Sequence, residues 1–281
     1  MVRPKPAALL VIAHPDDEVF VSGTLCLLHE AGIVTHLVCI TDGAGSVSPL
    51  LKLSSDPKVK GAIRRYELSL SATMLGVEHV NVLEYDDVPS GRWVDSIPWD
   101  NENLVSELTA ILETVRPEII FTHGPAGGYG HSAHKHTFTA VVEAVARTKL
   151  SPFVYSICGR LGVRTRLDGY FDDKADVMLD VRQFMGRRVA SLTYYQSQKD
   201  FFFSDVHKRD ISFLIRQVAS AVLFFLPPVR RIRPIGSAES FFRQFPVEGL
   251  VLQSGPERKG KDFFDRYFPD DPRVTRVGSK P

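Results

Sequence analysis

The first half of the chain alternates short apolar runs with longer amphipathic ones. Ala7 to Ala13 is apolar throughout, which suits a parallel strand covered on both faces better than a half-exposed strand with a two-residue alternation. Val19 to Ala31 then reads as a helix closed by Gly32, a residue suited to the left-handed turn at a helix end. The same pattern predicts strands over Ile33 to Ile40, Val80 to Leu83 and Ile119 to Thr122, with helices over Ala62 to Leu75 and Leu104 to Val115. A helix over Thr137 to Ala146, strands over Pro152 to Cys158 and Ala175 to Val181, and a helix over Arg182 to Gln196 complete the series. Strands alternating with helices in this way predict an α/β protein with a parallel sheet built from βαβ units.

Beyond about residue 200 the pattern weakens into aromatic clusters, Phe201-Phe202-Phe203 and Phe241-Phe242, and a polar tail after Gly255. The clusters are expected to cover the core, with a partner subunit as the alternative. Ile211 to Leu226 is apolar toward its end but contains Arg216 and Gln217, which makes it too short and too polar for a membrane span. It reads as a core helix. The alternative is peripheral membrane contact, since Leu223 to Leu226 precede Arg230, Arg231 and Arg233. No repeat or linker interrupts the chain, so residues 1–281 are expected to form one domain with a C-terminal extension.

Composition narrows the class. With 281 residues, 44% of them hydrophobic and 24% charged, the chain can bury a substantial core. A formal net charge of +1 gives no reason to expect nucleic acid. Cys26, Cys39 and Cys158 are few and widely spaced in apolar surroundings, which predicts small core residues of a reduced, cytoplasmic protein. The basic Met1 to Pro6 leads into an apolar run that ends in His14-Pro15-Asp16-Asp17, which is not the course of a signal peptide. Oligomeric state has no signature in the sequence.

The charged residues fall where chemistry is expected. Asp16, Asp17 and Glu18 with His14 sit at the carboxyl end of the first predicted strand, the edge where open α/β sheets bind ligands. Thr41-Asp42-Gly43-Ala44-Gly45 and Tyr85-Asp86-Asp87 follow later strands. The fourth leads into His123-Gly124-Pro125-Ala126-Gly127-Gly128-Tyr129-Gly130-His131-Ser132-Ala133-His134. This glycine-rich loop lacks the spacing and the Lys-Ser/Thr ending of a phosphate-binding P-loop. Its two histidines three residues apart, taken with His14 and Asp17, offer two kinds of metal donor and suit Zn²⁺ in a hydrolase or Fe²⁺. Taken alone, the three acids could simply favour a helix N-terminus; their convergence with His131 and His134 favours a shared ligand. His29, His36, His79 and His207 are assigned no role. An Fe²⁺ oxygenase is disfavoured, because its usual His-x-Asp spacing and all-β scaffold differ from His14-x-x-Asp17 on an alternating α/β pattern.

Ala13 to Glu18, taken together with Gly127 to His134, resembles the paired signature of the PIG-L/LmbE-like N-acetylglucosaminyl deacetylase family. Thr41-Asp42-Gly43, Ile63-Arg64-Arg65-Tyr66-Glu67-Leu68, Leu75-Gly76 and Ser197-Gln198 extend the likeness over about residues 7–200, a catalytic core, and leave 201–281 as a variable extension. The resemblance implies a Rossmann-like three-layer sandwich with a mostly parallel central sheet. It also implies zinc-dependent removal of acetyl from an N-acetyl amino-sugar conjugate, with Fe²⁺ or another divalent metal as alternatives. By the same resemblance His14, Asp17 and His134 are metal ligands, and Asp16 is the general base for a metal-activated water. His131 and Tyr129 stabilise the oxyanion, while Arg64 contacts the sugar or its phosphate and Asp87 accepts hydrogen bonds from sugar hydroxyls. On the residues alone, Arg64 could instead pair with Glu67 or Glu18, and Asp87 could open a turn. Two positions depart from the family pattern: Ala133 where an acid often precedes the second histidine, and Tyr195 where many members carry histidine. A noncatalytic sugar- or lipid-binding module on the same fold is the alternative function.

Overall fold

The computed structural model of the chain describes residues 5–46, 48, 51, 54–87, 97–128, 130–157, 175–199, 202, 238–243, 245–256 and 262–277. Tyr129, Cys158, Phe201, Phe203 and the stretch 211–233 lie outside the described residues. Strands β1 (Ala7–Ile12), β2 (Val34–Thr41), β3 (His79–Tyr85), β4 (Ile119–Thr122) and β5 (Phe153–Ser156) pair in parallel in the order β3-β2-β1-β4-β5. This is Rossmann-like winding, and the strand order reverses between β1 and β4.

The uniform apolarity of β1 follows from its position. Successive side chains of a strand point to opposite faces. Ala8, Leu10 and Ile12 join one core with residues of α1 (Ser22–Glu30) and α2 (Pro57–Leu75). Leu9, Val11 and Ala13 join another with residues of α3 (Asn101–Val115) and α4 (Ser132–Arg147). Helices α2 and α3 begin several residues before their apolar periodicity does. Asp56 and Asp100 cap them by accepting the backbone N–H groups of Lys58 and Asn103, and such polar first turns carry no hydrophobic signal. The helix expected from Val19 to Ala31 is a 3₁₀ turn, Asp17–Val21, followed by α1.

The C-terminal part carries more of the sheet than its weak pattern indicated. After β6 (Val177–Asp180) and α5 (Met185–Thr193) come α6 (Ala238–Phe242), β7 (Val247–Ser254), α7 (Phe263–Tyr267) and β8 (Val274–Arg276). Strand β7 inserts between β5 and β6, antiparallel to both, and β8 pairs with β6. Glu248 and Gly249 break the apolar run of β7 in the sequence, yet Glu248 is buried. Its carboxylate accepts the backbone N–H groups of Gly23 and Thr24 and the Thr24 hydroxyl, each at 2.8 Å. Arg188 Nη2 lies 3.3 Å from it. This buried anion holds the start of α1, just beyond the acidic turn that follows β1. Phe202, Phe241 and Phe242 pack with Val19, Leu192 and Tyr195 in a third core. Among the described residues no helix is long and apolar enough to cross a membrane.

Candidate active site

The loops after β1 and β4 meet at the point where the strand order reverses, and they bring His14, Asp17 and His134 together. One donor atom from each lies within 4.8 Å of the others. Hydrogen bonds preset these donors. Asp17 Oδ2 accepts the His14 backbone N–H at 2.8 Å, while Oδ1 faces His134 Nε2 at 3.3 Å. His134 Nδ1 lies 3.3 Å from the Gly127 carbonyl. Because a carbonyl can only accept, Nδ1 carries the proton of the neutral ring and Nε2 presents a lone pair. Ring orientation by a carbonyl is the usual support of a metal-bound histidine. Two imidazoles and a carboxylate, mostly buried, therefore form a donor set that fits a divalent cation such as Zn²⁺ or Fe²⁺.

Charge accumulates around this set. Burial opposes protonation of His14, but Asp17 and Asp87 together raise it to about 10. His14 Nε2 is 3.3 Å from Asp87 Oδ1, and Asp87 Oδ2 accepts the Gly45 N–H at 2.8 Å. Asp87 thus links the loop after β2 to His14. Burial would raise Asp17, but His134 and His123 hold it well below the usual carboxylate range.

Asp16 is set apart from its neighbour. Its backbone is left-handed at φ 100°, which turns successive carboxylates in different directions. Arg64 Nη2 donates to Asp16 Oδ2 at 3.1 Å and also to the Pro15 carbonyl. Burial nevertheless dominates over the guanidinium and raises Asp16 to about 6. Arg64 therefore pairs with Asp16, not with Glu67 or Glu18. Its Nε and Nη1 are buried and have no hydrogen-bond partner among the described residues. A Cβ at Gly43 would come within 2.7 Å of that Nε, so glycine at this position makes room for the buried guanidinium.

His131 lies just ahead of α4 as its N-cap. Its Nδ1 accepts the Ala133 N–H at 3.2 Å, which leaves Nε2 to carry the proton of the neutral ring. Burial, then the neighbouring His14 and His134, push His131 down to about 3. Its ring centroid is 4.9 Å from that of His14 and 4.7 Å from that of His134.

Three residues to which the sequence assigns no role also line the site. His123 stacks on His134, accepts the Ala13 N–H through Nε2 at 3.0 Å and lies 3.4 Å from Asp17. Its place directly after the fourth apolar strand was the available signal. Glu18 and Tyr195 form a buried pair behind Asp16, their oxygens 2.6 Å apart. Nothing local in the sequence links those two.

Fold and site together define a Rossmann-like α/β protein with a His–Asp–His donor set at its switch point. Residues 9–145 match the family model of PIG-L, described as GlcNAc-PI de-N-acetylase. A 1D-myo-inositol 2-acetamido-2-deoxy-alpha-D-glucopyranoside deacetylase of Mycolicibacterium gilvum is 28% identical over 234 residues, covering 69% of this chain and 81% of its own. Among solved structures, N,N'-diacetylchitobiose deacetylase from Pyrococcus horikoshii aligns with TM-score 0.59 and 24% identity, over 89% of this chain and 84% of its own. GalB, the 4-carboxy-2-hydroxymuconate hydratase from Pseudomonas putida KT2440, aligns with TM-score 0.62 and 19% identity, over 91% and 99%. The fold thus hosts both a deacetylase and a hydratase, and the reaction has to be argued from the site.

Proposed function

We propose that the protein is a metal-dependent hydrolase that removes acetyl from an N-acetylated amino sugar, a conjugate of the 2-acetamido-2-deoxy-glucopyranoside type, with Asp16 as general base. One observation carries this reading: beside the His14–Asp17–His134 donor set stands a separate carboxylate, Asp16, raised by burial to about 6. A base with its proton affinity near neutrality suits the task. The family match over 9–145 and the deacetylase relatives support the same chemistry.

His14, Asp17 and His134 would hold the cation. When bound there it supplies a Lewis acid for the amide carbonyl and lowers the pKa of water. Asp16 takes a proton from water as the water oxygen adds to the acetyl carbon. The C–N bond then breaks, acetate leaves, and the nitrogen departs as an amine after gaining a proton. Neutral His131, with its proton on Nε2, serves as a hydrogen-bond donor to the developing oxyanion; return of the proton to nitrogen then falls to Asp16. Tyr129 would add a second donor. Arg64 would act through Asp16, whose carboxylate it grips, while Asp87 steadies His14. The free thiols of Cys26 and Cys39 are buried, in keeping with a reducing compartment such as the cytoplasm.

The test is acetate release by zinc-loaded protein across N-acetyl amino-sugar conjugates of graded size. Release from at least one is expected. Silence across the panel from protein that still binds zinc overturns the reading.

A further inference from the structure

Asp16 is held by two strings of contacts, and only one of them runs through its side chain. Arg64, from α2, grips the carboxylate. The backbone is held separately: the Asp16 N–H donates to Glu18 Oε2 at 3.1 Å. Glu18 Oε1 in turn accepts the hydroxyls of Tyr195 and Ser71, each at 2.6 Å. Glu18, Ser71 and Tyr195 are at most 1% exposed. The Tyr195 ring also lies 5.6 Å from the Arg64 guanidinium, so this one residue touches both strings.

Such a network has a local reason to exist. A residue with a Cβ is strained at φ 100°, and it persists there only when its surroundings over-determine it. A relaxed backbone would carry the Asp16 carboxylate away from the Arg64 guanidinium that grips it. Three donors converging on the two oxygens of Glu18 fix where the Asp16 N–H must point. Tyr195 belongs to the segment after α5, 177 residues from Glu18 in sequence. The conformation of the acidic loop is thereby made to depend on the packing of α5 against α2.

We infer that Glu18 and Tyr195 are positioning residues, holding Asp16 in its left-handed conformation with its carboxylate directed at the reacting water. The inference rests on the reading of Asp16 as general base. It assigns Tyr195 a part in the chemistry through the hydrogen bond that its hydroxyl gives Glu18.

The test uses the zinc-loaded full chain and the variants Tyr195→Phe, Glu18→Gln and the double variant. Phenylalanine keeps the ring over Arg64 and removes only the hydroxyl. Glutamine keeps the shape but cannot satisfy all three donors. With a conjugate that the wild type deacetylates, Tyr195→Phe is expected to lower kcat about tenfold, with KM and zinc content unchanged. Glu18→Gln should lower it further, and the double variant should fall no lower than Glu18→Gln alone, because both act through one carboxylate. Losses that multiply in the double variant, or a raised KM with kcat intact, overturn the inference. A readout independent of activity is hydrogen exchange at the Asp16 amide, followed by NMR, which should quicken about tenfold in both single variants. Wild-type exchange in both variants also overturns it. Faster exchange in a protein that releases acetate from no conjugate upholds the tether while the deacetylase reading fails.

Discussion

The ring of His123 lies flat against that of His134, with centroids 3.8 Å apart and planes 5° from parallel. His123 is itself pinned, since its Nε2 accepts the Ala13 N–H at 3.0 Å. His134 is therefore oriented from two directions, by this face and by the Gly127 carbonyl. Removing such support from a metal-binding histidine typically costs about 10- to 100-fold in affinity. His123→Ala should weaken zinc binding by that amount, measured by competition with a chromogenic chelator. Unchanged affinity would show that the stack is packing alone.

With Asp16 as the proposed base, its ionisation should set the acid side of the pH profile. Its pKa is raised to about 6 in the folded protein, chiefly by burial, and only the carboxylate form accepts a proton. Activity is therefore lost as pH falls through about 6 and is level above it, so kcat/KM should rise with pH across that window. Asp16→Asn should lower kcat by about 10²- to 10⁴-fold at neutral pH while zinc still binds. A variant with wild-type kcat would remove Asp16 from the role of base.

The donor set predicts dependence on a cation. Dialysis against a strong chelator should abolish acetate release, and added Zn²⁺ or Fe²⁺ should restore it. In His134→Ala one of the three donors is gone, and metal addition should restore only a small fraction of the rate. Full activity in chelated protein, verified as metal-free by mass spectrometry, would contradict the assignment of His14, Asp17 and His134 as ligands.

Glu248 should matter for stability out of proportion to its place in a late strand. It accepts three hydrogen bonds at the start of α1 and faces the buried Arg188. Glu248→Ala leaves that guanidinium without its counter-charge, a change that costs about 3–5 kcal/mol in buried pairs. Urea unfolding should register the loss as a lower midpoint. A shift below about 1 kcal/mol would mean that water replaces the carboxylate, as at a surface pair.

Much of the frame was readable before any coordinates. A strand buried on both faces must be apolar at every position, so Ala7 to Ala13 announced itself, and the acids after it fell at the ligand-binding edge. Helix α3 carries its burial at Leu104, Val105, Leu108 and Leu112, a helical spacing that is visible in sequence. Strand β7 was less legible. A buried glutamate reads as a surface residue until the two N–H groups and the arginine that satisfy it are known.

The site divides along the same line. His14, Asp17 and His134 stood out because their chemistry and spacing are carried in short motifs. Arg64 was noticed, but its partner was not: the side chain that a long, flexible guanidinium reaches depends on how α2 packs beside the acidic turn. His123 carries no role in the sequence, since the Ala13 N–H that it accepts lies at the end of β1, 110 residues away.

By itself, the sequence determined the layering of strands and helices, the edge at which the polar residues gather and the residue types available for chemistry. Each of these follows from the local period of burial or from side-chain identity. Only the tertiary structure decided that β7 enters the sheet between β5 and β6, that Asp16 stands apart from Asp17 in a left-handed turn, and that Tyr195 reaches Glu18. The physical reason is range. Ala13 and His123 are 110 residues apart and Glu18 and Tyr195 are 177 apart. Such contacts are set by how whole elements pack, a property that neighbouring residues in sequence do not encode.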